Sequence, residues 1–263
     1  MSFASTREAA AALRAELGGE DGGLDVLCNN AGVMGLKDAA TVDGADVQMQ
    51  TNHLSHFLLT CEVWPLLCAA AAARGEARVV SHSSGARRGG LLEPAYLSAA
   101  RGGDLGGDVS GWMPGTGGRW KRYQQSKLAN VVFTYALRDR IAALAEDEAG
   151  ARVKALVAHP GLSATNLQVT TSADGGMGAG FTSFLMSRFA QSGEDGAMGL
   201  MRCCCDPVVS NGDFYGPKGV SGPAVLMPDD SKLAPAESRA MLWGESLKAT
   251  GVADPLPLPQ AAA

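Results

Sequence analysis

The alternation of long helical segments with short apolar segments constrains this sequence more than any other feature. Helical composition or periodicity covers residues 5–17, 45–73 and 121–146, and short apolar runs cover 24–28, 77–84 and 152–161. Helices that alternate with short buried strands require crossover connections, which place the strands parallel in one sheet. The sequence therefore predicts an α/β fold in which helices flank a parallel sheet.

Charge and hydropathy exclude several classes of function. The 22 Lys and Arg residues and 27 Asp and Glu residues give a net charge of −5, whereas nucleic-acid binding needs a basic face. The most apolar stretch, 61–73, is too short for a membrane span and contains Glu62 and Pro65. The N-terminus lacks a basic start followed by an apolar run, so no signal peptide is expected. We predict no nucleic-acid partner and no membrane span.

The cysteines and histidines show no spacing that is typical of a metal site or a disulfide framework. None of the six cysteines forms a C-x-x-C pair, and three are adjacent at 203–205. His53 and His56 share one helix face but lack a third ligand nearby in the sequence. We expect no metal site, free thiols in a reducing, cytoplasmic compartment, and a packing role for 203–205.

Two segments interrupt the alternation, and a third ends the chain. Residues 102–118 contain eight glycines and predict a long loop, either a surface insertion or a flap over a ligand site. Residues 163–195 are rich in Gly, Ser, Thr, Phe and Met and follow a strand end, where open α/β sheets bind ligands. We expect one domain at 1–252 and a disordered tail at 253–263.

Tyr123 and Lys127, in the stretch YQQSKLAN, carry the first sign of chemistry. Residues four apart in a helix share a face, so the ammonium can approach the phenol. A nearby cation lowers the pKa of a phenol from about 10, which allows proton exchange with an alcohol near neutral pH. The alternative is an ordinary solvated pair on a helix surface.

Further polar residues stand at the predicted strand ends. Ser84 ends the strand RVVSHSS, where a hydroxyl can bond a substrate carbonyl or cap the next turn. Asn52 is a polar residue in the apolar helix QTNHLSHFLLT, either functional or a satisfied core amide. CNNAG at 28–32 and HPGLSATN at 159–166 are turns that follow strands and allow close approach to a ligand.

Taken in order, these motifs resemble the short-chain dehydrogenase/reductase superfamily, and most of all its retinol-dehydrogenase-like branch. The stretches NNAG, Y-x-x-S-K-L-A-N, HPG-x-x-x-T-N-L and D-P-x-x-x-x-G-D-F-Y-G-P occur in the order typical of that family, from about residue 2 to about residue 252. The resemblance implies a Rossmann-like sheet and reversible hydride transfer between NADP(H), with NAD not excluded, and an alcohol or carbonyl. The nicotinamide supplies the hydride, and the protein positions it.

The resemblance also implies roles for single residues. Tyr123 is the acid/base, Lys127 holds the nicotinamide ribose and lowers the pKa of Tyr123, and Ser84, rather than Ser83, orients the substrate oxygen. The main chain at Asn52 holds a water in a proton relay. The adenosine-ribose side of the cofactor is assigned to Asn30, Ala31 and Gly32, and its nicotinamide end to Pro160, Gly161 and Thr165.

The chain departs from the family before NNAG. The family begins with a strand and a turn of the form T-G-x-x-x-G-x-G, whereas residues 2–28 correspond to its third crossover helix and fourth strand. We therefore expect the first three strands to be missing, about 60 residues at ~30 per βαβ unit, together with the pyrophosphate site. An organelle-targeting peptide could be lost with them.

Two interpretations of this truncation remain open. The chain is either a fragment of a longer enzyme or a shortened, non-catalytic remnant that acts only as an interaction partner. In the family's sheet the first strand lies beside the fourth, so without it the strand at 24–28 becomes an open, apolar edge that invites aggregation. Alone, the chain is expected to bind the cofactor at millimolar levels or not measurably, because several charge-assisted hydrogen bonds of about 1.5–3 kcal/mol each are lost.

The segment 163–195 also bears on the substrate. Side chains rich in Met and Phe form adaptable apolar walls. We expect a small, largely apolar alcohol, aldehyde or ketone as substrate; the alternative is that these side chains pack the segment onto the sheet or form a homodimer contact. The residues concerned are Leu167, Met177, Phe181, Phe184, Leu185 and Met186.

Overall fold

A five-stranded sheet organises the fold. The computed structural model describes residues 2–19, 22–98, 103–109, 115–163, 166–176 and 190–258. The strands lie in the order β1-β2-β3-β4-β5; the first four are parallel, and β5 runs antiparallel to β4. They are β1 (Val26–Asn29), β2 (Ala77–His82), β3 (Val153–Ala158), β4 (Phe214–Gly216) and β5 (Val225–Leu226). The predicted α/β fold, a Rossmann-like parallel sheet with flanking helices, is confirmed.

Seven α-helices lie within the described residues, with short 3-10 turns at Gly85–Arg88, Pro94–Tyr96 and Ala149–Arg152. The three long helices predicted from the sequence are present as α1, the run from α2 to α3, and α4. The helices are α1 (Phe3–Leu17), α2 (Val47–Met49), α3 (Ser55–Arg74), α4 (Gly118–Ala142), α5 (Asn166–Ala173), α6 (Gly193–Cys205) and α7 (Ala236–Thr250).

A π-helical turn at Gln50–Leu54 joins α2 to α3, so that the helix runs without a break over Val47–Arg74. It begins where the Asp46 carboxylate accepts hydrogen bonds from the backbone N–H groups of Gln48 and Met49, and it ends at Gly75, whose φ is 91°. By length and hydropathy it is the one described helix that could cross a membrane, and 61% of its most apolar window is buried inside the protein. Packing in the core accounts for its apolar composition.

The two faces of the sheet are covered by different helices. On one face Leu27, Val79 and Val157 pack with residues of α1, α3, α4 and α7 in the main core. On the other face Val80 and Leu156 pack with Cys203 of α6 in a smaller cluster. Because side chains alternate along each strand, one apolar run supplies both cores.

Two segments that the sequence predicts to lack regular structure make defined contacts. Within the glycine-rich loop, residues 103–109 lie against α4, where Gly107 O accepts a hydrogen bond of 2.6 Å from Arg122. Near the C-terminus Asp254 accepts a hydrogen bond from Trp243 Nε1 at 3.1 Å and Leu256 is buried, so part of the expected disordered tail is packed. Residues 259–263 lie outside the described residues.

Candidate active site

A cavity of about 520 Å³ lies at the carboxyl ends of β1, β2 and β3. Eight of the predicted site residues line it: Asn30, Ala31, Gly32, Ser84, Tyr123, Lys127, Pro160 and Gly161. Asn52 lies behind this lining and is fully buried. Thr165 lies outside the described residues, as do Met177, Phe181, Phe184, Leu185 and Met186. The carboxyl edge of the parallel strands thus brings together residues from four separate motifs.

The two serines after β2 have different surroundings. The Ser84 hydroxyl forms a hydrogen bond with the phenol of Tyr123 and faces the cavity. The Ser83 hydroxyl is buried and donates to the main-chain oxygen of Lys127 at 2.8 Å. Ser84 is therefore placed to meet a ligand oxygen, whereas Ser83 attaches the strand end to α4.

Lys127 is buried, with 4% of its surface exposed, yet its side chain reaches the cavity. Nζ donates to His82 O at 3.2 Å, the only hydrogen bond that its ammonium makes within the described residues. Burial lowers the pKa of Lys127 to about 8. Its other N–H donors can serve a ligand.

The pKa of Tyr123 is raised, not lowered. Burial of the phenol disfavours the phenolate and is the larger cause, while the hydrogen bond with Ser84 acts in the opposite direction. The prediction that Lys127 pulls this pKa below its usual value is therefore wrong for this structure. The ammonium lies instead beside the backbone of Gly32 and the Asn52 amide.

Asn52 fastens the π-helical turn to the loop after β1. Its Oδ1 accepts from Val33 N at 2.7 Å, and its Nδ2 donates to Val33 O at 2.9 Å and to Ser126 Oγ at 2.8 Å. Its main-chain oxygen, predicted to hold a water, lies 3.0 Å from His56 Nδ1. Burial, and after it the charge of Lys127, lowers the pKa of His56 to about 4, so the ring is neutral and donates to this oxygen.

The Asn-Asn-Ala-Gly turn forms the wall beside Lys127. Asn30 Oδ1 lies 2.7 Å from His82 Nδ1, which links the ends of β1 and β2. A Cβ at Gly32 would lie 3.2 Å from both Lys127 Nζ and Asn52 Oδ1. Glycine at this position lets the backbone approach the two polar groups closely.

The His-Pro-Gly turn closes the cavity after β3. Gly161 has φ 66°, and a Cβ there would lie 2.5 Å from Val220 O, so both conformation and space require glycine. The His159 ring packs edge-on against Phe214, with centroids 5.6 Å apart, and its Nδ1 accepts from Gly161 N at 3.2 Å. Burial lowers the pKa of His159 to about 4, so the ring is neutral.

One wall of the cavity was missed by the sequence reasoning. Helix α6 lines it with Gly193, Gly196, Ala197 and Leu200, which lie on one helical face. The spacing i, i+3, i+4, i+7 of small and apolar residues was the available signal. His82, Ser83, Met34 and Leu162 also line the cavity and were not predicted as ligand contacts.

Comparison with known proteins identifies the family. The model of the short chain dehydrogenase family matches residues 2–103. The short chain dehydrogenase/reductase dpchH of Colletotrichum higginsianum is 29% identical over 244 residues, which are 89% of this chain and 56% of that protein.

The chain belongs to the short-chain dehydrogenase family. Its relatives include retinol dehydrogenase 14 of Mus musculus, 34% identical over 58% of this chain and 38% of that protein. A solved structure of an uncharacterised protein from Mycobacterium paratuberculosis is 30% identical, with a TM-score of 0.62, and the match covers 98% of this chain and 74% of that one. The chain thus spans about three fifths of the length of dpchH and about two fifths of the length of retinol dehydrogenase 14.

Short-chain dehydrogenases use nicotinamide cofactors, and the cavity fits one end of such a molecule. The buried Lys127 offers N–H donors to hydroxyl groups, and Gly32 leaves room for a ligand backbone to approach. Lys127 is the only cationic side chain among the described cavity-lining residues. The fit is therefore to the ribose and nicotinamide, which carry hydroxyls and an amide.

The glycine-rich loop takes no part in this site as far as the structure describes it. None of residues 103–109 lines the cavity. Asp108 Oδ1 accepts from Asp38 N at 2.6 Å and lies 3.6 Å from the Arg119 guanidinium. This part of the loop packs at the start of α4, as expected for a surface insertion and not for a flap.

Proposed function

We propose that this site carries out reversible hydride transfer between NADP(H) and an apolar alcohol or carbonyl compound. The observation that carries the proposal is the placement of Ser84, Tyr123 and Lys127 around one cavity at the carboxyl edge of the sheet. The cofactor supplies the hydride when it is bound. The chain supplies a proton donor, a support for the substrate oxygen and a cation.

Tyr123 is the acid/base. Because burial raises its pKa, the phenol is protonated at neutral pH and can donate its Oη proton to a carbonyl oxygen as that oxygen gains charge. Ser84 already bonds the phenol, so its hydroxyl holds the same oxygen in place. For alcohol oxidation the proton moves in the opposite direction, from the substrate hydroxyl to the Tyr123 phenolate, so this direction requires the ionised phenol.

Lys127 binds the hydroxyls of the nicotinamide ribose, and its charge lies beside the backbone of Gly32 and the Asn52 amide. Since its pKa is about 8, the side chain is cationic at neutral pH. Asn52 supports this wall through Val33 and Ser126. The main-chain oxygen of Asn52 faces His56, so a proton relay through Asn52 would pass through the His56 ring.

The remaining cofactor contacts are proposed from the family resemblance. Asn30, Ala31 and Gly32, which line the cavity, are assigned to the adenosine ribose, and Pro160 and Gly161, which also line it, to the nicotinamide. Thr165, assigned to the nicotinamide as well, lies outside the described residues. Selection of NADP over NAD is supported by the resemblance to the retinol-dehydrogenase-like branch alone. We expect a lower KM for NADPH than for NADH.

The substrate is lipophilic. Apolar side chains from four separate segments line the cavity, namely Met34, Leu162, Leu167, Ala197 and Leu200. A retinol dehydrogenase among the relatives, named for a lipophilic alcohol, supports the same class. Shape and apolar contact then select the substrate, and Ser84 and Tyr123 orient its oxygen.

Cytoplasmic location and homodimer formation remain predictions. All six cysteines are free thiols in the structure, which supports a reducing compartment. A homodimer contact is one alternative role of the 163–195 segment, of which 164–165 and 177–189 lie outside the described residues.

The test is a label-transfer assay on the purified protein joined to the glycine-rich N-terminal strands of a short-chain dehydrogenase, because residues 1–263 alone are expected to bind the cofactor at millimolar levels or not measurably. NADPH that carries deuterium at the transferring position is incubated with lipophilic aldehydes and ketones and, separately, with sugars and charged metabolites. We expect deuterated alcohol from the lipophilic carbonyls and a higher KM with NADH. Faster turnover of the sugars or charged metabolites than of the lipophilic carbonyls would overturn the proposal of a lipophilic substrate. If the joined protein binds the cofactor but reduces none of the compounds, the non-catalytic alternative is correct.

A further inference from the structure

Two cysteines from distant parts of the chain meet where α6 crosses β1. Cys28 lies in β1, and Cys204 lies in the last turn of α6. A side-chain hydrogen bond joins the two thiols. Neither of them lines the cavity or takes part in the proposed reaction.

The strand register, independently of that hydrogen bond, puts Cys28 on the sheet face that α6 covers. Cys28 is paired with Val80 of β2, and Val80 belongs to the cluster beneath α6. Val26, on the same face of β1 as Cys28, packs against that cluster, as does Cys204. Both thiols therefore lie between the same strand and the same helix.

Access and charge differ among the neighbouring cysteines. Cys28 is exposed and Cys204 is half-buried, whereas Cys203 is buried and its thiol lies 3.6 Å from Val157 O. The hydrogen bond from Cys204 lowers the pKa of Cys28, although burial opposes this, so Cys28 is the more readily ionised thiol of the pair. The Arg78 guanidinium lies nearby, since it donates to the main-chain oxygen of Cys203 at 2.9 Å. An accessible, activated thiol next to a second thiol is the arrangement found in thiol redox sensors.

We propose that Cys28 and Cys204 form a reversible disulfide between β1 and α6 when the protein meets a hydroperoxide. The Cys28 thiolate attacks the outer oxygen of the hydroperoxide, the O–O bond breaks, and the alcohol or water leaves with a proton. The thiol of Cys204 then attacks the oxidised sulfur; the S–S bond forms, the S–O bond breaks, and water leaves. Two thiols are oxidised and one hydroperoxide is reduced. An external dithiol reverses the step by exchange.

The position of the pair gives the disulfide a consequence for the cavity. Cys28 stands two residues before the Asn30–Gly32 turn, and Cys204 lies about one helical turn beyond Leu200. The bond would therefore tie together two walls of the cavity. A change in turnover on oxidation rests on the proposed function, but formation of the bond does not.

The test reads the bond directly by mass. Purified protein is treated with hydrogen peroxide, remaining thiols are alkylated, and the protein is digested without reductant. We expect a cross-linked peptide containing Cys28 and Cys204 that disappears with dithiothreitol. Cys205→Ser, which removes the exposed neighbour, should retain the cross-link, and Cys28→Ser should abolish it.

Two results would overturn the proposal. One is oxidation of Cys28 to the sulfinic acid without any cross-linked peptide in the wild-type protein. The other is the absence of a cross-linked peptide containing Cys28 and Cys204 from the oxidised wild-type protein or from oxidised Cys205→Ser. Circular dichroism of both variants establishes that they are folded. Because the readout is a peptide mass, its failure is distinct from an absence of dehydrogenase activity.

Discussion

The α4 wall and the α6 wall of the cavity are built in opposite ways. The α4 wall consists of two buried polar groups, Tyr123 and Lys127, each with a hydrogen-bond partner. The α6 wall consists of Gly193, Gly196, Ala197 and Leu200, whose side chains carry no polar group. The first wall controls charge and proton position, and the second controls shape. Substitutions in the α4 wall should therefore change kcat or stability, and those in the α6 wall should change KM.

The largest effect among the supporting residues is expected at Lys127. Lys127→Met retains the buried hydrocarbon chain but removes the cation, so kcat/KM should fall by about 10²–10³ and the KM for NADPH should rise. Lys121→Met, on the same helix but partly exposed and bonded to Gly89 O, should change kcat/KM by less than about twofold. Steady-state kinetics of both variants measure the difference. Equal losses would show that the charge of Lys127 has no special role.

Asn52 tests whether the α4 wall depends on the π-helical turn. Asn52→Ala leaves Val33 N, Val33 O and Ser126 Oγ without their partner, so the free energy of unfolding should fall by about 2–4 kcal/mol. Gln124→Ala removes one longer bond, of 3.2 Å to Gly115 O, and should cost less than about 1 kcal/mol. Urea denaturation measures both. A loss at Asn52 no larger than at Gln124 would contradict this account.

The lowered pKa of Lys127 predicts a pH dependence of stability. Between pH 8 and about 10.4 the unfolded chain keeps the lysine proton that the folded chain releases, so this residue's contribution to stability rises with pH. The gain relative to Lys127→Met should reach about 3 kcal/mol by the top of that window and vanish below it. Above about pH 10 the raised pKa of Tyr123 acts in the opposite direction, because the unfolded phenol ionises first. Urea unfolding of the wild-type protein and Lys127→Met across this range measures the gain. If the difference in free energy of unfolding between the two proteins stays constant with pH, the lowered pKa of Lys127 is refuted.

The smallest effect is expected on the α6 wall. Leu200→Ala removes apolar surface from the cavity and should raise the KM for a lipophilic substrate by about three- to tenfold with little change in kcat. Met198→Ala, on the same helix but half exposed and outside this cavity, should leave the KM unchanged. If Leu200→Ala lost as much kcat as Lys127→Met, the proposed difference in function between the α4 wall and the α6 wall would be contradicted.

The sequence could predict the α4 wall because its residues carry functional groups at fixed spacing. Strand ends bring Asn30, Ser84 and Pro160 to one edge of the sheet, as the order of the elements implies. The sequence could not predict that the pKa of Tyr123 is raised. A spacing of i, i+4 places two residues on the same helix face, but it does not determine how deeply the phenol is buried or where the ammonium points.

Other features escaped prediction for different physical reasons. Strands β4 and β5 have three and two residues, too short to show periodicity. Gly196 and Ala197 have no chemistry that a motif could reveal. Cys28 and Cys204 are far apart in the chain, and only the packing of α6 on β1 brings the two thiols together.

Tyr123→Phe tests the central claim most directly. The ring retains its buried volume and its edge-on contact with Trp120, so the fold is kept while the transferable proton is lost. We expect kcat for a lipophilic carbonyl to fall by about 10²–10⁴, and Tyr135→Phe, which removes a phenol from the same helix outside this cavity, to retain it within about twofold. Near-normal turnover by Tyr123→Phe would show that Tyr123 is not the acid/base of this site.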